Sequence, residues 1–177
     1  FALALADRPG FSNELTLACA DYETAEQGIE DYLQRSGGVI PQIICIAAAG
    51  PVVDGRIILS NNSWVIDTTS LQQKFASARV SLLNDFEAIA HSIPLLGDND
   101  TATIGLVPPE PEGKDRFTFG VLGPGTGLGT GGLIGRGGSV FPVVGEGSHA
   151  GFAPETRTQL EVLKQLRQRF ERVTDER

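Results

Sequence analysis

Apolar positions in this chain come in short blocks, and their spacing changes from block to block. Phe1 to Asp7 reads as a strand closed by a turn at Arg8-Pro9-Gly10, with Glu14 to Ala20 as its hairpin partner. Thr24 and Gln27 then stand at capping-box spacing, ahead of a helix carrying Ile29, Tyr32 and Leu33 on one face. Gly37-Gly38 ends that helix. Ile43 to Ala49 has the continuous apolar character of a buried strand, and Gly50-Pro51 breaks it. Asp54-Gly55 is a two-residue hairpin signal between Val52-Val53 and Ile57-Ile58-Leu59. Thr69 with Gln72 predicts a second capped helix, running through Ala78. Val80 to Leu83 is again strand-like; it stops at Asn84-Asp85, and Glu87 to Leu96 reads as a helix.

Residues 97 to 116 break the pattern. Pro108, Pro109 and Pro111 stand there among acidic residues with little periodicity, which marks a loop or a domain boundary. Beyond it, Phe117 to Leu122 reads as a strand, Gly123 to Gly138 is dense in glycine, and Ser139 to Val144 reads as another strand. Thr156 with Gln159 is a third capping box. The helix after it carries Leu160, Leu163, Leu166 and Phe170 on one face. The sum is a mixed sheet with helices against it, residues 1–107, and the start of a second unit, residues 108–177.

Composition narrows the classes. Hydrophobic residues make up 41% and charged residues 20%, enough for a core and against wholesale disorder. The net charge is −8 and the pI about 4.7. No basic stripe is available to neutralise a phosphate backbone, so nucleic acid is a poor partner. A nucleotide remains compatible, because Mg²⁺ and backbone N–H groups carry much of that attraction. Cys19 and Cys45 sit in separate apolar runs and make neither a disulfide framework nor a metal cluster, which suits a reduced, cytoplasmic setting. No apolar run reaches membrane-spanning length. The sequence has no Met, opens inside a strand-like run and stops at Arg177 after a helical pattern. The expectation is an internal piece of a longer protein.

Three motifs carry chemistry. Asp85 stands at the carboxyl end of a strand, where open α/β sheets hold ligands. It reads either as a base that takes a proton from a substrate hydroxyl or as the cap of the next helix. Gly123-Pro124-Gly125-Thr126-Gly127-Leu128-Gly129-Thr130-Gly131 follows a strand. It reads either as a phosphate cradle of backbone N–H groups or as a tight glycine-rich turn. It is no Walker loop, lacking the Lys-Ser or Lys-Thr. Gly127, Gly129 and Gly132 match a dinucleotide fingerprint in spacing, yet no helix pattern follows. Gly145-Glu146-Gly147-Ser148-His149 pairs a carboxylate with an imidazole, suited to sugar hydroxyls, or is an exposed polar loop. Asn61 is a further candidate hydrogen-bonding residue, while Trp64 reads as core.

In order and spacing these motifs resemble bacterial glucokinases of the hexokinase–actin superfamily. The likeness rests on Leu83-Asn84-Asp85-Phe86, then Gly123-x-Gly125-Thr126-Gly127-Leu128-Gly129, then Gly145-Glu146-Gly147-x-His149. It extends through Ala48-Ala49-Gly50-Pro51, Asn61-x-x-Trp64, Ile93-Pro94-Leu95-Leu96 and Phe152-Ala153-Pro154. The resemblance implies an α/β, ribonuclease H-like (actin-like ATPase) mixed sheet with helices on its faces, plus the start of a second similar domain. It implies Asp85 as the base for the glucose 6-hydroxyl attacking ATP, and Asn84, Glu146 and His149 on other hydroxyls. Glu176, in the pair Glu176-Arg177, would bind sugar too. Gly125, Thr126 and Gly127 would hold phosphate, with Mg²⁺ on the ATP. A homodimer of the whole protein is in keeping with the family.

Two family segments, the opening Asp-x-Gly-Gly-Thr-Asn loop and the later adenosine-binding segment, are not in this sequence. The chain by itself is therefore expected to be inactive. Ser148 stands for a usual Gly and Pro124 for a usual Ala. A rival reading is a non-catalytic sugar-binding regulator on the same fold; Asp85 favours the kinase, since sugar binding alone does not demand a base.

Overall fold

The computed structural model describes residues 1–8, 10–59, 62–106, 115–124, 128–145 and 147–174, with only the backbone of Ser148. It is a mixed α/β chain that falls into two compact units, Phe1–Asp85 and Phe86–Arg177. The break therefore lies ahead of the 107/108 boundary expected from composition.

In the first unit, helix α1 spans Ala25–Arg35 and strands β1 and β4 span Ile43–Ala48 and Arg79–Asn84. β1 and β4 pair in parallel, Ile43 opposite Arg79 and Ala48 opposite Asn84. Between them lie β2 (Arg56–Ile58), β3 (Val65–Asp67) and helix α2 (Thr68–Lys74). β2 and β3 pair antiparallel. The Asp54-Gly55 turn is as predicted: φ is +49° and +73°, and Val53 and Arg56 exchange two backbone hydrogen bonds of 2.9 Å. Those angles are the ones a tight primed hairpin turn requires. The core joins Ile29 of α1, Ile44 of β1, Ile57 of β2, Trp64, Leu71 of α2 and Leu82 of β4. Trp64 is core, as read, and its indole N–H donates to the Tyr22 carbonyl at 3.1 Å.

Several expectations need correction. The mixed sheet is two separate two-stranded sheets among the described residues. The hairpin of Phe1–Asp7 with Glu14–Ala20 reduces to one bridge, Leu3 with Ser12. Leu3 and Ser12 exchange two 2.8 Å bonds, but the next pair out is Phe1 with Leu15, a register shifted by one residue. Asn13 sits in that slip at φ +53°. One extra residue on one side is a bulge, and it ends the ladder. Cys19–Asp21 is then a 3-10 turn, not strand. β1 is not buried throughout: Ile44 is buried while Ile43 and Cys45 are exposed, so one face meets the core. The second capped helix starts earlier than read, because Asp67 accepts the Thr69 N–H at 2.7 Å and is the true cap.

Helix α3 runs Asp85–Ser92, its first residue closing the first unit and the rest opening the second, and passes into a 3-10 turn at Ile93–Leu95, where Pro94 limits the helix. Strands β5 (Arg116–Pro124), β6 (Leu128–Arg136) and β7 (Ser139–Gly145) form one antiparallel sheet in the order β5-β6-β7. Helix α4 spans Arg157–Arg167 behind the predicted Thr156/Gln159 capping box, which is complete. Leu163 is its buried contact; Leu160 and Phe170 remain largely exposed. Among the described residues no helix is long and apolar enough to cross a membrane.

Candidate active site

The parallel pairing of β1 and β4 brings two strand ends together, and the first candidate residues stand there. Asn84, the last residue of β4, is buried at 6% exposure. Its side-chain amide donates to the Gly50 carbonyl at 3.1 Å, tying the turn after β1 to the end of β4. Gly50 holds φ +127°, a conformation that side-chain-bearing residues rarely adopt. Asp85 follows as the first residue of α3, half-buried at the strand's carboxyl edge. Burying the Asn84 amide against backbone fixes where its neighbour's carboxylate is launched.

The glycine run has a packing reason that the sequence alone does not reveal. Most of it is strand β6, not loop, and it opens no helix. Gly123 and Gly129 face each other across β5 and β6. A Cβ on either would overlap the ring of Phe86, and one on Gly131 would come within 3.3 Å of the Phe86 carbonyl. At Gly135 the obstruction is the Phe117 ring. These glycines thus make a flat seat for aromatic rings, with Phe86 anchored on it directly after Asp85. The candidate phosphate residues Gly125, Thr126 and Gly127 lie outside the described residues, as do Asn61, Glu146 and Glu176.

His149 closes the 3-10 turn Gly147–His149 and is exposed. Its carbonyl accepts a 2.6 Å bond from the Arg172 guanidinium. Gly151 bridges Thr174, and the Phe152 N–H donates to the Val173 carbonyl at 3.1 Å. The loop after β7 is therefore fastened to residues 172–174. Sequence reading missed Arg172, and no local signal marks it, because its partner is a backbone carbonyl. It also gave Thr130 no role. The Thr130 hydroxyl receives the Gly147 N–H at 2.8 Å and donates to the Gly145 carbonyl at 3.2 Å. Asp85 belongs to the first unit; Thr130, His149 and Arg172 belong to the second. Among the described residues no three of His, Cys, Asp and Glu gather closely enough to hold a metal ion.

In the first unit a half-buried carboxylate stands at a parallel strand end, where open α/β sheets hold ligands; in the second, a His-bearing turn follows a glycine-lined sheet. Comparison with known proteins makes that specific. The glucokinase family model matches residues 1–177, and the chain belongs to the glucokinase family. It is 37% identical over 161 residues to a glucokinase of Marinobacter nauticus, covering 91% of this chain and 49% of that protein. With a glucokinase of Caulobacter vibrioides it shares 38% over 159 residues, covering 89% and 47%. The crystal structure of a glucokinase from an Antarctic psychrotroph superposes with a TM-score of 0.73 at 27% identity, over 94% of this chain and 51% of that one. The chain thus spans about half the length of the curated relatives it matches.

Proposed function

We propose that the whole protein containing this chain transfers the γ-phosphoryl group of ATP to the 6-hydroxyl of glucose. Family membership over the full 177 residues carries this reading, with Asp85 at the carboxyl end of β4 in support. Asp85 accepts the proton of the attacking hydroxyl, so that the oxygen reaches phosphorus as the better nucleophile. Asn84, Asn61, Glu146, His149 and Glu176 hold the remaining hydroxyls, and Gly125, Thr126 and Gly127 hold phosphate. Phosphoryl transfer leaves little else for a protein to do beyond positioning and stabilising charge. Mg²⁺ on the ATP would neutralise phosphate charge, held chiefly by the phosphates, water and one or two carboxylates. The ribonuclease H-like description, with domains at 1–107 and 108–177, belongs to the same reading, as do a cytoplasmic place at the start of glycolysis and a homodimer.

The test is Asp85→Asn in the whole protein, followed by glucose-dependent release of ADP. The change keeps the shape and removes the base. The expected loss in kcat is at least about 10²-fold, the low end for general base catalysis, with glucose binding altered far less. A near-normal kcat would return Asp85 to the role of a helix-terminal residue.

A further inference from the structure

The Thr130 hydroxyl spans one residue of the chain from both sides. It accepts from the N–H of Gly147 and donates to the carbonyl of Gly145, at 2.8 and 3.2 Å, and the residue between them is Glu146. Thr130 reaches both because β6 pairs with β7 in a register that sets Thr130 opposite Gly145, the last residue of β7. The 3-10 turn to His149 starts at Gly147, the next residue but one. Gly147 is itself shaped to this contact, since a Cβ there would come within 2.7 Å of the Thr130 oxygen. One side chain thus latches the departure of the loop from the sheet. Its neighbours in β6, Gly129 and Gly131, have no side chain to take over the task.

We infer that Thr130 is a positioning residue for the sugar-binding loop, holding Gly145 and Gly147 so that the turn to His149 leaves the sheet in one arrangement. The inference rests on the reading of Glu146 and His149 as sugar ligands. A loop ordered beforehand binds more tightly because less freedom is lost on binding. The latch makes no bond to the ligand, so its effect falls on sugar affinity and leaves the affinity for ATP alone.

Thr130→Val keeps the branched shape and strand preference while removing both hydrogen bonds. Thr130→Ser keeps the hydroxyl. Both are made in the whole protein and compared by calorimetry with glucose and by steady-state kinetics with glucose and ATP. For Thr130→Val the expected result is a glucose Kd and KM raised about three- to tenfold, the span one or two ordinary hydrogen bonds supply, with the KM for ATP within about twofold of normal. Thr130→Ser should restore most of the sugar affinity. A valine variant with unchanged glucose Kd, or one that only lowers the melting temperature, overturns the inference. So does an equal rise in both KM values. Glu146→Gln, measured alongside, separates the two layers. If it weakens glucose binding while Thr130→Val does not, the latch is wrong and the site reading stands. If it leaves glucose binding untouched, the site reading fails and takes the latch with it.

Discussion

Asp85, Glu146 and His149 are single residues whose proposed roles rest on different amounts of structure. Asp85 sits where a strand becomes a helix, and its neighbour Asn84 is pinned by a side-chain bond to Gly50. Its position was legible because an apolar strand run ending in two polar residues is a local signal. His149 lies in an exposed turn whose carbonyl is held by Arg172. We predict that Glu146→Gln and His149→Ala each raise the KM for glucose and leave the KM for ATP nearly unchanged, because the proposed roles set both residues on hydroxyls and not on phosphate. Kinetics with each substrate varied in turn checks this; a selective ATP defect would move the loop to the nucleotide. Thr130 was illegible for a physical reason. Its role arises from cross-strand register, which brings it to Gly145 and Gly147, and no pattern near position 130 encodes that register.

At the scale of elements, local chemistry was readable and long-range chemistry was not. The Thr24 and Thr156 caps and the Asp54-Gly55 turn are each decided within a few residues, and each formed as predicted. The cap of α2 was misplaced because Asp67, two residues before Thr69, takes the Thr69 N–H first. In the sequence the glycine run reads as a phosphate cradle or a tight turn, because the reason for its glycines, the Phe86 ring, arrives from a distant helix. Asp67 also carries a pH prediction. Its carboxyl is held below the ordinary carboxylate value of 3.8, first by the Thr69 N–H and then by Arg56. Asp31 is lowered likewise, by the Tyr22 hydroxyl and Arg35. A carboxylate favoured in the folded state stabilises above its unfolded pKa, and that contribution is lost as pH falls through the folded value. The first unit should therefore lose stability as pH drops from about 5 to below 3.8, and Asp67→Asn should flatten that acid slope. Thermal melts of both proteins from pH 3 to 7 check it; parallel curves would remove Asp67 from the account.

For the whole molecule the question is which unit owns α3. Composition puts the division in the proline-bearing segment after it, whereas the contacts put it between Asp85 and Phe86. The second division has a mechanical cause. Phe86 covers Gly123 and Gly129 of the β5–β6 pair, so the helix begins on the sheet of the second unit although its first residue completes the first. Such a seat couples α3 to β5 and β6 in stability, because opening one exposes the apolar face of the other. We predict that Phe86→Ala destabilises the second unit by roughly 1–3 kcal/mol, less than a fully buried Phe because this ring is only partly covered. Hydrogen exchange should then quicken in α3, β5 and β6 together, while amides of β1 and β4 keep their protection. Gly129→Ala, which forces a Cβ into the ring, should loosen the same three elements and no others. If α3 instead loosens together with β1 and β4, the helix belongs to the first unit, and the composition break after it marks the working boundary.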